Sequence, residues 1–191
     1  MERYIQSVIG EKRKCLDEFE SNGCSEILVR VGERVVETLK SGHKILIAGN
    51  GGSAADAQHF AAELVGRFLT ERKGLPAIAL TTDTSILTSI ANDYSFEQIF
   101  SRQVEALATE GDLFIGISTS GNSENVLCAV REAKRKDIFT VGFLGKDGGK
   151  LKEECDLSLI IPSDITAMVQ EMHETCIHII CAFVDQAYEE V

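Results

Sequence analysis

The chain has no tryptophan and only two prolines among 191 residues. With so little proline and no low-complexity stretch there is little room for a linker. Length and composition therefore point to one domain over 1–191, large enough for a sizeable core. No Cys-x-x-Cys pair is present. Cys15, Cys24, Cys128, Cys155, Cys176 and Cys181 are scattered along the chain, which excludes the ligand spacing of a structural zinc site and reads as reduced cysteines acting as small apolar side chains. No apolar run is long enough to span a bilayer, and the start, Met1 to Gln6, has no apolar signal core. A cytoplasmic location is the expectation. Positive charge is also short: 19 Lys and Arg against 30 Asp and Glu leave a formal charge of −11. That balance argues against non-specific binding to nucleic acid or an anionic membrane. An anionic ligand would have to be held by local devices such as backbone N–H groups and hydroxyls.

What is present is a regular alternation. The first 42 residues carry helical periodicity only: Ile5, Val8, Ile9, Leu16 and Phe19 form a loose stripe. Ser21, Asn22 and Gly23 break it, and Ile27, Leu28, Val31, Val35, Val36 and Leu39 form a second. From residue 43 short apolar runs at 44–48, 77–80, 112–118, 138–144 and 157–161 read as parallel strands buried on both faces. Helical stretches are expected at 53–68, 84–90 with 95–109, 122–136, 149–154 and about 165–188. This pattern predicts an α/β core over 43–191 with a five-stranded parallel sheet. Loops 49–53, 81–84, 118–123 and 145–149 should share the rim at the carboxyl ends of the strands, where ligands sit. The helices at the two termini exceed what one small sheet needs, which favours contact with another copy of the chain.

Two of those loops suit an anion. Gly49 to Ser53 joins a strand to a helix, where free N–H groups and the helix dipole converge. Ser118, Thr119, Ser120, Gly121, Asn122 and Ser123 do the same with four hydroxyls. Plain helix capping accounts for one hydroxyl, not four, so phosphate binding is the better reading. Gly49, Gly51 and Ala54 also fit a loose dinucleotide fingerprint, but the acidic residue it requires about 20 positions on is late, at Asp83. His59 and Glu63 lie one turn apart on the helix after the first loop. A surface ion pair is the ordinary reading of such spacing; their place beside the glycine loop favours acid–base or metal chemistry. On the last helix Gln170, Glu174 and His178 share a face, either solvated or part of a buried site. His173, Glu174 and His178 miss the metalloprotease spacing by one residue. Asn92 and Asp93 suit either a turn or a sugar contact.

Together these residues identify a resemblance. Gly49 to Leu64, Ala91 to Tyr94, Phe100 to Ala106, Ser118 to Ser123, and Gln170 to His173 with His178 resemble the sugar isomerase (SIS) domain family over nearly the whole chain. The likeness is strongest to its branch acting on heptose phosphates. The resemblance implies a three-layer α/β SIS-type fold and a homotetramer with active sites at subunit interfaces. It implies isomerisation of D-sedoheptulose 7-phosphate to D-glycero-D-manno-heptose 7-phosphate, which feeds bacterial surface heptose. By the same resemblance Ser118, Thr119, Ser120 and Ser123 grip the phosphate. Asn50, Gly51, Gly52, Glu63, Asn92, Asp93 and Gln170 meet the sugar. Glu63 and His178 are the acid–base pair, and one zinc ion per subunit sits at His59, Glu63, Gln170 and His178. Isomerisation of another sugar phosphate, or a non-catalytic scaffold for a protein partner, are the alternatives.

Overall fold

The computed structural model describes residues 1–189. Five short strands, β1 (Ile45–Gly49), β2 (Ala77–Ala79), β3 (Leu113–Ser118), β4 (Phe139–Gly145) and β5 (Leu157–Ile161), form one parallel sheet in the order β2-β1-β3-β4-β5. Side chains alternate across the sheet as strand geometry requires. Ile45, Ile47, Leu113, Ile115, Ile117, Val141 and Phe143 enter one core, while Leu46, Ala48, Phe114 and Leu144 enter the other.

Helices α1 (Glu2–Ser21), α2 (Cys24–Lys40), α3 (Gly52–Val65) and α8 (Thr166–Glu189) cover the first face. Helices α4 (Thr84–Asp93), α5 (Ser101–Leu107), α6 (Glu124–Arg135) and α7 (Leu151–Glu154) cover the second. The result is the three-layer α/β arrangement expected. Cys15, Cys24, Cys176 and Cys181 are buried as free thiols in the first core, where burial pushes Cys176 and Cys181 up to about 12.

Two helix ends differ from the periodicity. The helix expected to reach residue 68 stops at Val65. The Arg72 guanidinium donates to the carbonyls of Glu63 (2.7 Å) and Leu64 (2.9 Å), so the last turn of α3 is satisfied from outside. The stretch expected as one helix over 95–109 is a 3-10 turn, Phe96–Gln98, followed by α5.

Strand order locates the site. The chain leaves β1 for β2 on one side and reaches β3 on the other, so the order reverses between β1 and β3. Open parallel sheets bind ligands at that point, beyond the strand carboxyl ends. Gly49 pairs in register with Ile117, which sets the glycine loop and the hydroxyl loop side by side.

Candidate active site

The two loops are joined by a pair of amides. Asn50 Nδ2 donates to Asn125 Oδ1 at 2.8 Å, and Asn125 Nδ2 donates back to Asn50 Oδ1 at 2.8 Å. Asn125 Oδ1 also accepts from the Val126 N–H at 2.9 Å. The Asn50 side chain, expected at the sugar, is thus engaged with the start of α6. In the hydroxyl loop Ser123 stands at the N-cap of α6 but makes no side-chain cap bond. Its hydroxyl meets Ser118 Oγ at 2.8 Å instead. The bland capping reading of this loop therefore fails at the residue where it should hold. Gly121 turns the loop at φ +66°, with the Gly148 carbonyl so close that a Cβ would collide with it. Ser120 Oγ accepts from the Asn122 N–H at 3.2 Å.

Behind the loops, α3 and α8 run side by side in the same direction, and their facing residues form a ladder. The Gln170 carboxamide lies against Gly52, where a Cβ would overlap it. One turn on, Asp56 faces Glu174. Burial and the Glu174 charge push the Asp56 carboxyl up to about 6, with His59 opposing, and its Oδ2 has no hydrogen-bond partner among the described residues. One turn further, His59 Nε2 meets His178 Nε2 at 2.8 Å. Glu63 Oε1 lies 3.7 Å from His59 Nε2. Phe68, in the loop after α3, stacks on the His178 ring with centroids 5.4 Å apart and so fixes its plane. His59, Glu174 and His178 each bring one donor atom within 4.8 Å of the others.

The structure thus gathers His59, Glu63 and His178 at one place, with Gln170 up the ladder toward the glycine loop. Asn92 and Asp93 close α4 on the surface, where Asn92 Nδ2 donates to Asp93 Oδ1 at 2.8 Å. Glu174 was visible in the sequence only as part of a helical stripe; the signal for its role is its spacing of four from both Gln170 and His178. Asp56, Phe68 and Asn125 carried no distinguishing pattern. His173, five residues before His178, points the other way. It is fully buried and its Nε2–H donates to the Leu144 carbonyl at 3.0 Å. A cavity of about 460 Å³ lies between Arg34, Asp112, Asp137 and Asp156 at the amino ends of the strands. It is at the wrong end of the sheet for this chemistry.

A hydroxyl loop at a helix N-terminus and an imidazole–carboxylate cluster between α3 and α8 fit a phosphosugar-handling α/β protein, and comparison with known proteins agrees. The SIS domain family model matches residues 9–145. Phosphoheptose isomerase of Trichlorobacter lovleyi is 62% identical over 159 residues, 83% of this chain and 81% of that protein. That of Aliarcobacter butzleri is 59% identical over 160 residues, 84% and 85% of the two chains. The structure of phosphoheptose isomerase GmhA from Neisseria gonorrhoeae superposes with a TM-score of 0.90 at 43% identity, covering 97% of this chain and 98% of that one. The chain belongs to the phosphoheptose isomerases of the SIS domain family.

Proposed function

We propose that the protein is an aldose–ketose isomerase converting D-sedoheptulose 7-phosphate to D-glycero-D-manno-heptose 7-phosphate, the entry to bacterial surface heptose. The meeting of His59, Glu63 and His178 between α3 and α8, in a chain that also carries a four-hydroxyl loop at the N-terminus of α6, supports this reading. Ser118, Thr119, Ser120 and Ser123 hold the phosphate together with the N–H groups opening α6. Gly51 and Gly52 let the sugar approach the backbone, and Asn50, Asn92, Asp93 and Gln170 meet its hydroxyls. The remote phosphate orients the chain, so its binding energy is used at the reacting carbons. Glu63 and His178 then remove the proton from one of C1 and C2 and return it to the other through an enediol.

His59, Glu63, Gln170 and His178 would hold one zinc ion. Two imidazole nitrogens facing each other, with carboxylates beside them, form a donor set that suits it. When bound, the ion supplies electrophilic stabilisation for the oxyanion of the enediol. A homotetramer is supported by exposed apolar residues on α1 and by the apolar groove of about 300 Å³ between α1, α2 and α8. A cytoplasmic location is consistent with the described residues containing no helix long and apolar enough to cross a membrane.

Incubation with the ketose phosphate in D2O tests the reading. Aldose should form with deuterium at C2, and Glu63→Gln should slow turnover by about 100-fold or more. Absence of aldose from the wild type, or an unchanged rate in the variant, would overturn it.

A further inference from the structure

The ladder between α3 and α8 contains a rung that the reaction scheme does not use. Asp56 and Glu174 face each other there, and among the described residues no Lys or Arg forms an ion pair with either. Two carboxylates side by side with no cation are unfavourable. Glu174 is also the carboxylate whose oxygen gathers with His59 and His178, all three donor atoms lying within 4.8 Å of one another.

We propose that Glu174 is itself a ligand of the divalent ion, joining His59 and His178. The inference rests on the metal site proposed above and extends it by a residue. Metal–ligand bonds of about 2.0–2.2 Å place neighbouring donors about 3 Å apart in a four- or five-coordinate site. From a spread of 4.8 Å that needs only side-chain rotation, and Glu174 is an exposed residue with a long, free side chain. The ion would also supply the positive charge the Asp56–Glu174 rung lacks. A consequence for turnover follows. Glu63 has to exchange a proton with carbon, and a carboxylate cannot do so with the same oxygen while that oxygen is held by a metal. With Glu174 coordinated, the ion keeps a negatively charged ligand when Glu63 turns to the substrate.

Cobalt(II) is the probe. Chelator-treated wild type, Glu174→Ala, Glu174→Gln and Glu171→Gln are titrated with Co²⁺, with affinity read by calorimetry and coordination by visible absorption. Glu171 is an exposed neighbour on α8 that pairs with Lys12 at 2.7 Å, and its substitution removes the same charge. Circular dichroism checks that each variant is folded. Both Glu174 variants should bind Co²⁺ about tenfold or more weakly, and Glu174→Ala should alter the position and intensity of the d–d bands. Glu171→Gln should match the wild type. Unchanged bands in Glu174→Ala overturn the proposal, even where affinity falls, because a charge effect without coordination leaves the spectrum alone. A wild type that takes up no Co²⁺ overturns the metal site itself.

Discussion

Single residues separate the two histidines of α8. His173 and His178 are five apart, so helical rotation sends one to the sheet and the other to α3. The sequence shows both but not which side each takes, because α8 is apolar around most of its circumference and its facing is decided by packing. Burial pushes His173 down to about 4 from its ordinary 6.5, the bond to Leu144 opposing weakly. Between those values the unfolded chain binds a proton that the folded chain refuses, so stability falls as pH drops below 6.5. Asp56 acts the other way: its folded value of about 6 lies above its ordinary 3.8, so the fold takes up that proton first and gains as pH falls through 6. Urea unfolding of the metal-free protein at pH 7 and pH 5 resolves the two. His173→Gln should remove about 2 kcal/mol of acid destabilisation between those pH values. An unchanged pH slope in the variant would show that the ring titrates freely. The hydroxyl loop was more legible, since four hydroxyls at a strand–helix junction exceed any capping need.

Between elements, the join of α3 to α8 is held at its far end by a buried ion pair. Arg72 Nε donates to Asp185 Oδ1 at 2.8 Å, and both side chains are 3% exposed. Asp185 Oδ2 accepts from the N–H groups of Leu69 (2.6 Å) and Thr70 (2.9 Å). Against the upward push of burial, the Thr70 N–H, the Arg72 guanidinium and the Leu69 N–H hold the Asp185 carboxyl below its ordinary value. The same guanidinium holds the carbonyls of Glu63 and Leu64, so this clamp fixes the last turn of α3, which carries Glu63. Arg72→Met should cost about 3–5 kcal/mol in denaturant unfolding, because it leaves a buried charge unpaired. Arg72→Met with Asp185→Leu should recover part of that loss; a double variant as unstable as the sum of the singles would refute a pairwise clamp. Helix and strand positions were readable from period alone, within a few residues. The end of α3 was not, because a side chain seven residues beyond the helix satisfies its carbonyls, and periodicity carries no trace of that.

At the scale of the molecule, the outer side of α1 is unusual for a surface helix. Tyr4, Ile5, Val8, Ile9 and Leu16 are 40–74% exposed, and Ile5, Val8 and Ile9 share a face at three- and four-residue spacing. The sequence already showed more apolar helix than one sheet can use; the structure locates the excess on α1 and in the groove it forms with α2 and α8. Replacing Ile5 and Ile9 by Glu should lower the mass of the proposed homotetramer in light scattering, with the secondary structure of each subunit preserved. An unchanged mass would remove α1 from the interface. The five-stranded parallel sheet followed directly from the strand–helix alternation. The partnership of α3 with α8 did not, because His59 and His178 are 119 residues apart and only the sheet's topology brings them together.

That separation sets a timetable. As the ribosome makes the chain, the α3 half of the cluster emerges long before the α8 half, with four strands still to come between them. Until α8 docks, His59 and Glu63 lack their counterpart. A nascent or partly folded chain therefore holds only one half of the histidine–carboxylate cluster, and the proposed acid–base pair of Glu63 with His178 is incomplete. With the site proposed above, metal uptake and catalysis both wait for the last helix, so the finished fold is its own checkpoint.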